Sequence, residues 1–122
     1  MTITVRGVAL DLDLADAEMN ARYLAAFERY QQDVAALPDG GSLGAEGIRQ
    51  VCRTVFALFN DLFGAGTDRR VFGDACNLRE AMTGLSELVD AATAQRRELD
   101  ELLAGIAAKY GPGRSVRTRA KA

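Results

Sequence analysis

One apolar repeat dominates the chain and lies in LREAMTGLSELVDAATAQRRELDELLAGIAAKY, residues 78–110. Large apolar side chains recur there at intervals of four and three residues, the heptad spacing of a coiled-coil helix, and Arg96 interrupts the row. Asn77 is suited to cap this helix, with Glu80 at the third position of a capping box. The row consists of Leu78, Met82, Leu85, Val89, Ala92, Leu99, Leu103, Ile106 and Tyr110.

The length of this helix has a consequence for its surface. At about 1.5 Å per residue it would span roughly 50 Å, which a domain of this size cannot cover throughout. Its second half therefore needs the first helix, a second copy of the chain or another protein, and we expect an intermolecular contact. Gly111-Pro112-Gly113 should end the helix, and residues 114–122, whose charges are all basic, should be flexible.

Two more helices are predicted upstream of the repeat. The first covers residues 16–37, with Asp16 or Asp13 as its cap and one apolar stripe. The second runs over about residues 42–63, and its broader apolar face predicts that it is the core helix. Residues 38–41, PDGG, form the connection. The apolar positions are Met19, Tyr23, Phe27, Tyr30, Val34 and Leu37 in the first helix, and Ile48, Val51, Cys52, Val55, Phe56, Phe59, Leu62 and Phe63 in the second.

The opening of the chain has the period of β-structure. Apolar and polar residues alternate over residues 1–14, and Gly7 accepts the positive φ of a tight turn, so a short hairpin is expected. Leu10, Leu12 and Leu14 fall on one face and the intervening aspartates on the other. Two strands alone are marginally stable in water, so the hairpin must pack on the helices or on a neighbouring chain.

These elements predict a mainly α fold, in which a short N-terminal β-hairpin precedes a three-helix arrangement with a long C-terminal helix. Thr67 should cap a single additional turn within the glycine-punctuated residues 64–76. We expect one helical domain over residues 1–110 and a basic flexible tail over residues 111–122.

The composition argues against several classes of function. A net charge of −2 and a pI of about 5.1 disfavour nucleic-acid binding. Histidine, the most versatile acid–base group and the commonest metal ligand, is absent from the sequence. Cys52 and Cys76 have neither zinc spacing nor a histidine partner, and we expect free buried thiols. With no signal peptide and no apolar run of about 20 residues, the expected location is the cytoplasm. The sequence predicts no enzyme, cofactor or metal site.

Two stretches of the sequence partly match known ligand-binding motifs. Residues 63–67, FGAGT, suggest a phosphate loop, but the lysine, the spacing and the preceding strand of that motif are missing, and a helix end with a turn explains them better. The acids within residues 11–18 have a D-x-D spacing without the glycine and distal glutamate of a calcium-binding EF-hand. A solvated strand face followed by a helix start is the better account.

The chain resembles a family of small phage and prophage proteins found in tail-gene modules. The resemblance covers about residues 8–119 and is most specific in the middle, where the chain reads GIRQVC at residues 47–52 and FNDLFGAGT at residues 59–67. Gly111 departs from the small polar residue typical of that family. The other matching segments are residues 8–14, 19–30, 55–56, 71–73, 77–78 and 109–114.

The resemblance implies a tail assembly chaperone-like role in the bacterial cytoplasm. Such proteins are thought to cover the helical, aggregation-prone tape-measure protein before tail-tube subunits polymerise around it. The implied partners are the tape-measure protein, with the tail-tube protein as a further candidate, and further copies of the chain. The partner-binding residues expected on this basis are Leu99, Leu102, Leu103, Ile106 and Tyr110, with Arg114 and Arg117 of the basic tail steering towards acidic partners.

Two other hypotheses remain open. The protein could be a structural tail or head–tail component that oligomerises and stays in the virion, with its hairpin extending the sheet of a neighbouring subunit. It could also be a host-directed interaction protein that binds a bacterial regulator. Mass spectrometry of purified particles distinguishes the first from a chaperone, and a pull-down from host lysate tests the second.

Overall fold

The structure is a computed structural model that describes residues 1–38 and 44–110. It is mainly helical (74%), with an N-terminal antiparallel hairpin and a long C-terminal helix, which confirms the predicted fold class. Within the described ranges, no helix is both long and apolar enough to cross a membrane. The elements are β1 (Thr2–Val5), β2 (Val8–Asp11), α1 (Ala17–Ala35), α2 (Ala45–Phe63), α3 (Thr67–Phe72) and α4 (Leu78–Tyr110).

The chain divides into two compact units. The first is Met1–Ala91 and contains both strands, α1 to α3 and the beginning of α4. The second begins at Ala92, and its described part, residues 92–110, is entirely helical. The predicted start of the second helix at Ser42, most of the PDGG connection and the basic tail at residues 111–122 lie outside the described residues. The single domain over residues 1–110 stays a prediction.

The hairpin has a two-residue turn. Val5 pairs with Val8, and both intervening residues have positive φ angles, 50° at Arg6 and 80° at Gly7. That combination is the mirror-image turn that suits the twist of two antiparallel strands. The turn at Gly7 is therefore confirmed, and so is the predicted inward face of the strand and its extension, because Leu10, Leu12 and Leu14 are buried.

Arg6 is the only non-glycine residue with a positive φ among those described. Its backbone N–H donates to Oε1 of Glu87 at 2.7 Å. Its guanidinium donates to Glu80 and to the carbonyl of Val71, both at 3.4 Å, and lies 5.8 Å from the ring centre of Phe72. A left-handed conformation costs a non-glycine residue of order 1–3 kcal/mol. These contacts with α3 and α4 offset that cost.

Helix α2 supplies the centre of the core of the first unit. Five of its apolar side chains are fully or almost fully buried, as its broad apolar face predicted. Phe72 of α3 packs against α2. Its ring centre lies 5.1 Å from that of Phe56 and 5.2 Å from that of Phe59. The five buried side chains are Cys52, Val55, Leu58, Phe59 and Leu62.

Helix caps confirm two of the predicted starts. The Asp16 carboxylate accepts from the N–H of Met19 at 2.9 Å, which satisfies a free donor of the first turn of α1. The Asn77 side chain accepts from the N–H of Glu80 at 3.0 Å and caps α4 in the same way. In the described part of the chain the Glu80 carboxylate pairs with Arg6, so the reciprocal half of the capping box is not observed.

Thr67 does not cap α3, and that prediction is wrong. The N-cap is Gly66, at a φ of 91°. Thr67 is instead a buried first residue of the helix, whose hydroxyl donates to the carbonyl of Gly64 at 2.7 Å. The backbone N–H of Thr67 donates to the same carbonyl at 3.2 Å, so the side chain bonds back to the end of α2 instead of capping α3.

The beginning of α4 buries a different row from the one its heptads predicted. Met82 and Val89, both in the predicted row, are 37% and 38% exposed. The buried positions are Ala81, Gly84 and Leu88. At Gly84 the helix approaches the Phe72 ring so closely that a Cβ atom would lie 2.6 Å from it, and the larger Met82 and Val89 remain at the surface.

Candidate partner-binding surface

The described part of the second unit exposes a row of large apolar side chains. Residues spaced by three and four positions share one face of a helix, and here they are positions 92, 95, 99, 103, 106 and 110. Ala92 and Gln95 at the start of that row are 1% and 5% exposed. Leu99 is partly buried, and the residues that follow are exposed. Leu102 (61%), Leu103 (70%), Ile106 (57%) and Tyr110 (73%) are exposed.

We call Leu99, Leu102, Leu103, Ile106 and Tyr110 the C-terminal apolar face. Full burial of one such side chain stabilises a protein or complex by roughly 1.5–3 kcal/mol. Single exposed leucines are ordinary, but four exposed large apolar side chains within three turns of one helix form a contiguous patch. Such a patch is typical of a helix that binds another helix or a groove.

Charged residues border this face on both sides. Glu98, Asp100 and Glu101 precede the exposed leucines, and Lys109 follows them. From residue 98 to residue 110 the charges therefore run from acidic to basic, and Arg96 and Arg97 precede them. Lys109 lies in the last turn of α4, where a cation interacts favourably with the helix dipole.

A shallow groove lies on the same segment, centred on Gly105. A Cβ atom built on Gly105 would have no atom within 4 Å, so the groove floor is open. Sequence reasoning missed this groove because it searched for large apolar residues. The signal that could have found it is the small-residue sequence AGIAA at residues 104–108. The groove is lined by Glu101, Leu102, Gly105, Ile106, Ala108 and Lys109.

A second recess, in the first unit, lies beside strand β2. Two arginines line it, and both donate to backbone carbonyls. Arg22 donates to Leu62 and Arg70 donates to Ala9, each at 3.4 Å. These guanidinium groups have intramolecular acceptors, so the recess is less suited to an anionic ligand than its two positive charges suggest.

The two cysteines are both free, but they differ in exposure. Cys52 is fully buried, as predicted, whereas Cys76 is exposed, so the prediction of a buried thiol is wrong for Cys76. Cys76 lies in the segment between α3 and α4, which leaves it at the surface. Burial raises the pKa of the Cys52 thiol, and Cys76 raises it further through its charge and a side-chain hydrogen bond.

The structure thus brings five of the predicted partner-binding residues onto one helix segment and leaves four of them exposed. Arg114 and Arg117, the other two, lie outside the described residues. Within residues 1–38 and 44–110, no group of three or more His, Cys, Asp or Glu side chains is placed to hold a metal ion.

Comparison with known proteins gives one family. No curated protein and no solved structure matches the chain. A family model described as a family of unknown function (DUF6673) matches residues 6–122, which include the hairpin turn, the four described helices and the C-terminal apolar face. Because this match covers nearly the whole sequence, the chain belongs to the DUF6673 family.

Proposed function

We propose that this protein is a tail assembly chaperone-like binding protein that covers apolar helical stripes of a phage tape-measure protein in the bacterial cytoplasm. The single observation that carries the proposal is the exposure of Leu102, Leu103, Ile106 and Tyr110 on one helix segment. The resemblance of the sequence to small proteins of phage tail modules supplies the class of partner.

A binding role accounts for features that a catalytic role would not use. The exposed side chains are aliphatic or aromatic and lie on the convex surface of a helix. A tape-measure helix with apolar stripes can pair with such a surface, and the acids before the exposed leucines and Lys109 after them can fix the direction of pairing. The segment is about five turns long, so the contact is smaller than a standard interface of about 800 Å² per partner. A chaperone contact has to be displaced later, which suits a small interface.

The test is binding of a co-expressed tape-measure fragment by full-length variants. Leu103→Asp places a charge in the middle of the C-terminal apolar face, and we expect it to abolish capture while circular dichroism shows an unchanged fold. Leu24→Asp is the matched control, because Leu24 is an exposed leucine of α1 at 52% exposure. It should bind like the unmodified protein.

Two outcomes would contradict the proposal. Capture of the fragment by Leu103→Asp at full strength would show that this face is not the binding surface. Unfolding of Leu103→Asp, with Leu24→Asp still folded, would show that Leu103 belongs to the internal core of the protein.

The alternative is a structural tail or head–tail component that remains in the virion. It would use the outer edges of the hairpin to extend the sheet of a neighbour. The carbonyl of Ala9 on β2 already accepts from Arg70, which leaves that edge less open to pairing. Abundant protein in purified particles would favour this alternative, whereas a chaperone should be absent from them.

A further inference from the structure

We propose that the segment around Gly105 forms an antiparallel dimer with a second copy of the chain, with the two-fold axis passing at Gly105. The dimer needs no other protein, so this proposal is independent of the proposed function. The observation behind it is that the groove on α4 is complementary to itself when one copy is turned end to end.

In an antiparallel dimer centred on Gly105, a residue of one copy lies opposite the residue of the second copy that is equally many positions from Gly105 in the other direction. Glu101 then lies opposite Lys109 of the second copy, which sets an acid against a base. Leu102 lies opposite Ala108, which sets a large side chain against a small one. By two-fold symmetry each of these pairs occurs twice. All five positions line the groove.

A parallel alignment lacks these properties. It would place Glu101 against Glu101 and Leu102 against Leu102, which opposes like charges and crowds the large side chains. Ridges of large residues pack best into grooves left by small ones. Charge and size therefore both favour the antiparallel arrangement.

Gly105 sets how closely the two helices can approach. Its position is open, and at the two-fold axis it would face only the glycine of the other copy. Leu102 and Ile106, which are 61% and 57% exposed, would then contact the backbone and the alanines of the second helix. Because the helical segment is short, the interface is smaller than that of a stable dimer, and we expect weak, reversible association.

The groove and the most exposed leucine lie on different sides of the helix. At about 100° per residue, Leu103 and Tyr110 point away from Gly105, whereas Leu102 and Ile106 lie between the two directions. A substitution at Gly105 therefore disturbs the dimer and spares the centre of the C-terminal apolar face. Leu103→Asp disturbs the C-terminal apolar face and spares the groove at Gly105. Failure of the dimer and failure of the proposed function are thus distinguishable.

The first experiment is a charge swap followed by analytical ultracentrifugation of the full chain. Glu101→Lys and Lys109→Glu each turn two attractive pairs into repulsive ones, and each should raise the dimer dissociation constant about tenfold. The double variant restores opposite charges and should recover the original value. Asp100→Lys is the matched control, since Asp100 points about 100° away from Glu101, and should change the constant less than about twofold.

The second experiment tests whether the two helices are antiparallel and how closely they approach each other. A Glu101→Cys chain mixed with a Lys109→Cys chain, both carrying Cys76→Ser, should form a disulfide between the two different chains under mild oxidation. Gly105→Leu keeps the helix but blocks the approach, so it should be monomeric. A monomeric unmodified protein at millimolar concentration, cross-linking of each chain only with itself, or an unaffected Gly105→Leu dimer would overturn the proposal.

Discussion

A Cβ atom on Gly84 would lie 2.6 Å from Cε1 of Phe72, closer than non-bonded carbon atoms approach each other in proteins. The ring cannot easily move away, because Phe72 is 5% exposed and contacts the rings of Phe56 and Phe59. Gly84 is thus the point at which α4 meets the aromatic core of the first unit. Its missing side chain is what permits the contact.

Gly84→Ala should therefore destabilise the protein, although alanine is the better helix former by about 1 kcal/mol. Overpacking of this kind costs about 1–3 kcal/mol, and we expect a lower midpoint in urea denaturation followed by circular dichroism. Gly105→Ala is the matched control on the same helix, where a Cβ meets nothing, and it should not lower stability. Because Gly105→Ala carries the same gain in helix propensity, a midpoint for Gly84→Ala as high as that of Gly105→Ala would mean that the helix and the ring separate freely.

The two thiols should differ sharply in reactivity. Cys76 is exposed and should react with a thiol reagent in the folded protein. Cys52 is fully buried and has a raised pKa, so less of it is thiolate at neutral pH, and it should react only when the protein unfolds. Mass spectrometry of the labelled protein with and without denaturant measures both. Cys76→Ser should remove the fast reaction, and rapid labelling that persists in this variant would contradict the buried position of Cys52.

Tyr30 should make stability depend on pH only in the alkaline range. Burial raises its pKa above the ordinary value of 10.0. Below pH 10.0 the phenol is protonated in both states, so the free energy of unfolding is unaffected. Between that value and the raised pKa, the unfolded state releases the proton while the folded state keeps it, and stability falls as pH rises. Denaturation at several alkaline pH values, compared with Tyr30→Phe, measures the effect. An equal loss of stability in Tyr30→Phe would refute it.

The sequence was informative where a feature depends on neighbouring residues. The caps at Asp16 and Asn77, the turn at Gly7 and the start of α4 at Leu78 all follow from local chemistry, and all are observed. The predicted helix stop at residues 111–113 lies outside the described residues. The exposed leucines of α4 were also predictable, because the repeat is longer than a domain of this size can cover.

Other features depend on residues that are distant in sequence, and these were missed. The inward row of α4 is set by the Phe72 ring, which selects Gly84 over the larger residues of the heptads. The positive φ of Arg6 depends on partners in α3 and α4. The groove at Gly105 depends on the absence of a side chain, which a search for apolar periodicity does not register.

The hydrogen bond between the N–H of Arg6 and Glu87 joins residues 81 positions apart and has a consequence for biosynthesis. The hairpin leaves the ribosome long before α4 does, and two strands alone are marginally stable. Its strained turn gains its acceptor only when residue 87 has been translated and has emerged from the ribosome. Nascent chains arrested before that point should therefore lack a protected hairpin in hydrogen exchange, and the part of the fold that is made first becomes ordered among the last.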